Sequence, residues 1–135
     1  MRIALLLGVV TCVLVGAMIF FSARTTAGDT SEPAKVLRHI VLYKFKDDLP
    51  PAQVREVIDA FSALPKKIPG IVAFEHGTNV SPEGKSDGLT HVFVVGFRDE
   101  VARDAYLKHP AHDEYVQVVK GRREKVVVFD YWSER

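Results

Sequence analysis

The stretch "VLRHIVLYKF", Val36–Phe45, decides the fold. It is rich in β-branched and aromatic residues and reads as a β-strand. Strand alternation puts His39, Val41, Tyr43 and Phe45 on one face. Arg38, Ile40, Leu42 and Lys44 fall on the other. Both faces therefore carry apolar groups. A sheet with one face in water would alternate more cleanly between apolar and polar residues. This strand calls for a cover on both sides.

The chain downstream supplies one of the covers. "DDLPPAQVREVIDAFSALPKKIPG" reads as a helix from about Pro51 to Leu64, opened by Asp48 or Pro50 and closed by Pro65 and Gly70. Val54, Val57, Ile58 and Phe61 give it one apolar stripe. "IVAFEHGTNV", Ile71–Val80, is a second strand, and "SPEGKSDG" is a turn-rich loop. "LTHVFVVGF", Leu89–Phe97, is the most apolar strand and is expected at the centre of the sheet. Asp99 caps a second helix running to about Lys108. Pro110 interrupts it, and a further helical segment spans about Ala111 to Lys120, ended by Gly121. "EKVVVFDYW", Glu124–Trp132, is the last strand.

The order is β-α-β-β-α-β. That is the ferredoxin-like α+β arrangement, an antiparallel four-stranded sheet with both helices on one face. The opposite face then lacks a cover within the chain. A second copy is the simplest one, and two sheets facing each other make a dimeric α/β barrel.

The chain has 135 residues, 18 of them basic and 17 acidic, for a formal net charge of +1. No basic stripe stands out, since Lys66-Lys67 and Arg122-Arg123 are only pairs, so nucleic-acid binding is not expected. "IALLLGVVTCVLVGAMIFF", Ile3–Phe21, is uncharged and flanked by Arg2 and Arg24. Its length lies between a secretory h-region of about 7–15 residues and a membrane span of about 20. Two readings stand: residues 1–27 are a signal peptide cleaved after "TTA", Thr25–Ala27, or they are a retained N-terminal membrane anchor through residues 3–21. Both place the remainder outside the cytoplasm. Residues 28–35 read as a flexible linker and residues 36–135 as the folded domain. Cys12, the only cysteine, lies in the apolar segment, so the domain has no disulfide and no thiol nucleophile.

"RHIVLYKFKDD", "GTNVSPEG", "THVFVVGFRD", "AYLKHPAHDEY" and "VVVFDYW" occur in that order and together resemble the stress-responsive α/β-barrel (Dabb) domain family. The resemblance covers about Leu37–Trp132. It implies a ferredoxin-like subunit that pairs into a dimeric barrel. Most members look like proteins of unassigned function, and some are linked to stress responses in plants. Some relatives are similar to polyketide cyclases, in which a tyrosine and a histidine at the positions of Tyr106 and His112 serve an aldol-type ring closure. The resemblance also implies that His39 and His91 face the cavity.

All five histidines lie in the domain. A neutral imidazole at His112 can accept a proton from carbon next to a carbonyl. The Tyr106 phenol can hydrogen-bond the oxygen as charge develops. The rival reading is structural: His109-Pro110 stops one helix and starts the next, and His112 bonds to backbone. His109 and His112, with Asp113 and Glu114, lack the cysteine and second ligand pair of a closed metal site, so no metal and no cofactor is expected. The candidate catalytic residues are thus His112 and Tyr106, and the candidate ligand-binding residues are His39, Tyr43, His91 and His109. The expected role is an exported or anchored homodimer that binds a small apolar molecule in a cavity lined by His39, Tyr43, His91, Tyr106 and His112. The alternative is cofactor-independent lyase, cyclase or isomerase chemistry in the same cavity.

Overall fold

Strand β1, Leu37–Phe45, alternates strictly: Leu37, His39, Val41, Tyr43 and Phe45 are buried and the residues between them half-buried. The structure, a computed structural model, describes residues 35–134. The signal or anchor segment and most of the linker lie outside the described residues. Among the described residues no helix is long and apolar enough to cross a membrane.

After β1 the chain forms α1 (Pro51–Ser62), α2 (Leu64–Lys67), β2 (Ile71–Thr78) and β3 (His91–Phe97). It continues through α3 (Glu100–Leu107), α4 (Pro110–Val119) and β4 (Arg123–Trp132). The four strands make one antiparallel sheet in the order β2-β3-β1-β4. The two most apolar strands, β1 and β3, are the central pair, where backbone groups on both edges find ladder partners. The ferredoxin-like order is therefore present.

Among the described residues all the helices serve the face that carries His39. On α1, Val57 and Phe61 are fully buried, and Phe61 stacks on Phe93 of β3 with ring centroids 4.4 Å apart. Full burial of such side chains is worth roughly 1.5–3 kcal/mol each. The first helix ends at Ser62, two residues before the expected Leu64, and Pro50 precedes it without a side-chain cap. Pro65 does not simply stop the helix. It sits in the first turn of α2, where its missing N–H costs nothing, and this turn buries Leu64. Strands β2 and β3 are each two residues shorter than read, because Asn79 to Thr90 folds away as a loop.

The second helical region divides as its proline dictates. Asp99 accepts a bond from the Ala102 N–H at 2.8 Å and opens α3. Pro110 occupies the first turn of α4, and His109 is the N-cap, its Nδ1 accepting from the Ala111 N–H at 3.1 Å. Gly121, at φ +75°, turns the chain from α4 into β4.

Among the described residues the other sheet face has no helix over it. Ile40, Leu42, Val92 and Val94 are half-buried there, while Phe129 is 61% and Tyr131 41% exposed. The Phe129 and Tyr131 rings lie 6.2 Å apart on this face.

Candidate active site

A cavity of about 340 Å³ lies between the helix side of β1 and β4 and helices α1, α3 and α4. Its walls are apolar: Val41, Phe61, Leu107, Val116, Val126 and Val128. Seven polar groups break that lining, and with Arg103, which reaches Asp130 from outside it, they fall into three clusters.

The first cluster is Tyr106 with His112. The two residues are six apart, and on an unbroken helix about 100° per residue would point them to well-separated directions. The break at His109-Pro110 resets the direction. The rings meet edge to face, with centroids 4.6 Å apart and planes at 62°. Tyr106 is 1% exposed, and its hydroxyl makes no hydrogen bond among the described residues. His112 Nδ1 is buried and has no partner among them. A buried polar atom without a partner costs about 1–3 kcal/mol, so the arrangement is retained at a price in stability. Burial lowers the His112 pKa, with His39 nearby pushing the same way against Asp113. The imidazole is therefore neutral at pH 7 and able to accept a proton. Burial raises the Tyr106 pKa, and Tyr43 adds to it, so the phenol stays protonated and remains a donor.

The second cluster is His39, Asp130 and Arg103. The register sets His39 opposite Asp130, so both side chains leave the same face. His39 Nδ1 and Asp130 Oδ1 are 2.6 Å apart. Arg103 of α3 donates to the other carboxylate oxygen, Oδ2, at 2.5 Å. The His39 ring lies 5.8 Å from that of Tyr106. A carboxylate oxygen only accepts, so Nδ1 carries the proton in this pair.

The third cluster is Tyr43, Tyr115 and Arg123. The two phenolic oxygens are 2.7 Å apart and share one hydrogen bond. Arg123 donates to the Tyr43 oxygen at 3.2 Å, with its guanidinium 5.3 Å from the Tyr43 ring centre. Burial raises the Tyr115 pKa, and Tyr43 adds to the effect.

Four of the six candidate residues thus converge on one cavity: His39, Tyr43, Tyr106 and His112. His91 does not line it. It shares the sheet face, but it pairs across from Tyr43, four residues along β1 from His39. Its ring packs 4.9 Å from Phe45, its Nδ1 lies 2.8 Å from Thr90 Oγ1, and it borders a separate pocket with Leu42, Lys85 and Leu89. His109 borders neither pocket and is engaged at the start of α4. Sequence reading missed Asp130, Arg103, Tyr115 and Arg123. The only hint was that Asp130 shares strand parity with Val126 and Val128. Its partner depends on the β1–β4 register, which no local pattern contains. Among the described residues no group of three His, Cys, Asp or Glu is placed to hold a metal ion.

The profile of the stress responsive A/B barrel domain matches residues 37–133. The chain belongs to this family. It is 36% identical over 95 residues to the stress-response A/B barrel domain-containing protein HS1 of Arabidopsis thaliana, covering 70% of this chain and 87% of that one. It is 32% identical over 95 residues to olivetolic acid cyclase of Cannabis sativa, covering 70% and 94%. Among solved structures, the hydroxynitrile lyase from Passiflora edulis superposes with a TM-score of 0.71 at 26% identity, covering 76% of this chain and 97% of that one. A ferredoxin-like protein of unknown function from Thermobifida fusca, described as dimeric, superposes with a TM-score of 0.63 at 25% identity, covering 73% and 92%. The family thus includes a cyclase and has a lyase as a structural neighbour.

Proposed function

We propose that this A/B barrel domain holds a small, largely apolar carbonyl compound in the cavity and moves a proton on it without a cofactor. His112 takes the proton from the carbon next to the carbonyl, and Tyr106 donates a hydrogen bond to the oxygen as an enolate forms. The enolate then attacks a second carbonyl, as in a ring closure, or expels a leaving group, as in a lyase. The observation that carries the reading is the buried imidazole nitrogen of His112 beside the Tyr106 phenol, both without a hydrogen-bond partner among the described residues and both lining an apolar cavity. A cyclase in the family and a lyase of the same fold support that class of chemistry.

The test uses 2-nonanone in D2O, with deuterium entry next to the carbonyl followed by proton NMR. The wild type is expected to accelerate exchange and His112→Gln to lose the acceleration. Equal rates in both would sink the acid–base reading and leave binding alone.

We further propose that the working unit is a homodimer, closed across the sheet face that carries Ile40, Val94 and Phe129. The exposed apolar side chains there and the dimeric ferredoxin-like neighbours support it. Export or anchoring through residues 3–21 is proposed from their sequence. Fractionation of cells expressing the full chain tests it, and recovery of uncleaved protein from the soluble cytoplasm would reject it.

A further inference from the structure

The cavity is electrically lopsided. At the His39 end, Asp130 is a carboxylate already matched by Arg103 and the imidazole. At the Tyr43 end, Arg123 borders the cavity and has no carboxylate within ion-pair distance among the described residues. Its neighbour Arg122 is paired with Glu56, Lys44 with Glu124, and Lys125 with Asp87, so the nearby acids are taken. One Arg123 N–H goes to the Tyr43 oxygen, and the guanidinium lies over the face of the Tyr43 ring. A guanidinium carries five N–H donors, so most of them have no protein acceptor among the described residues. The Tyr43–Tyr115 pair adds another donor. Two phenols sharing one hydrogen bond use one proton between them, and the second is left to give.

We propose that Arg123 and the Tyr43–Tyr115 pair form a carboxylate subsite, and that the cavity takes an oxo acid. The acid group sits at Arg123, an aliphatic or aryl chain lies along Val41, Phe61 and Val126, and the ketone reaches Tyr106. His39 and Tyr43 are four residues apart on β1, roughly 13 Å, so several carbons separate the two functional groups. The fork of a guanidinium matches the two oxygens of a carboxylate, and the apolar walls strengthen the attraction. The position of the ketone rests on the acid–base reading above; the preference for a carboxylate does not.

Calorimetric titration of the full chain with 6-phenylhexanoate and with 6-phenylhexanamide tests this. The wild type is expected to bind the acid about tenfold or more tightly than the amide. Arg123→Met should erase that advantage while leaving the amide affinity in place, which also shows that the variant is folded. Arg122→Met should keep the advantage, because Arg122 lies outside the cavity. Equal binding of acid and amide by the wild type, a preference that survives in Arg123→Met, or no binding of either probe overturns the proposal. If Arg123→Met binds neither probe, Arg123→Lys decides: a retained advantage supports the subsite, and a lost one rejects it. His112→Gln should keep the advantage. A carboxylate preference without deuterium exchange removes only the acid–base reading, and exchange without the preference removes only the subsite.

Discussion

The rings of Tyr106 and His112 meet at 4.6 Å although a helix end, a cap and Pro110 lie between them in the chain. The proline that interrupts the helix is what permits the contact. A straight helix through this segment would keep its backbone bonds and separate the two groups.

Tyr106→Phe keeps the packing and removes one donor. Folding stability should stay within about 1 kcal/mol of the wild type, since that hydroxyl has no protein partner among the described residues. The rate of carbonyl-adjacent exchange should fall about 10²-fold. Urea unfolding beside NMR exchange checks both numbers. A large stability loss would mark the hydroxyl as structural.

Activity should depend on pH through His112. Its folded pKa lies below 6.5 because burial disfavours the charged ring. Exchange should be flat above about pH 6.5 and decline as the ring protonates at lower pH. Stability follows the same sign. Unfolding returns the group to an ordinary pKa, so the unfolded chain binds more protons below 6.5. The contribution is present above that value and is lost as pH falls through the lower folded one. His91, also lowered by burial, adds to the slope. Melting temperatures at pH 8 and pH 5.5 should show the decrease in wild type and a shallower one in His112→Gln.

Asp130→Ala removes the acceptor that holds His39. A hydrogen bond to a charged group at a half-buried position is worth about 1–2 kcal/mol, and urea unfolding should show that loss. The freed imidazole should also lose its fixed orientation beside Tyr106. Histidine NMR signals report this directly: His39 should change tautomer ratio, while His91 should not.

Phe129→Glu places a charge on the sheet face away from the helices, where Phe129 of edge strand β4 stands opposite Ile40. Light scattering should give a dimer for the wild type and a monomer for the variant at micromolar concentration. An unchanged dimeric mass would move the interface elsewhere.

Gly96→Ala tests strand packing at β3. A Cβ there would stand 2.9 Å from that of Ala73 and 3.1 Å from a Val36 methyl. Overpacking of this kind costs about 1–3 kcal/mol. Thermal unfolding should record it without loss of the probe preference at Arg123, since Gly96 faces away from the cavity.

The element order was legible because each signal is local. The alternation of β1, the stripe of Val57 and Phe61, the Asp99 cap, and the Pro110 and Gly121 breaks each act within a few residues. Local signals also mislead: Pro65 has the signature of a helix stop, yet it begins a turn of its own. Half of the site was legible from "AYLKHPAHDEY" and the His39 strand. The other half was not, because Asp130 and Arg123 reach the cavity only through strand pairing with β1.

The sequence by itself determined a β-α-β-β-α-β chain, a sheet apolar on both faces, and a helix broken where Tyr106 and His112 flank a proline. These follow from backbone preference and side-chain period, which short stretches of chain express alone. Tertiary structure decided which polar groups share the cavity. It seats Asp130 on His39 and Arg123 on Tyr43, and it sends His91 to a different pocket. Register and helix placement fix those pairings, and both are set by burying the whole core at once.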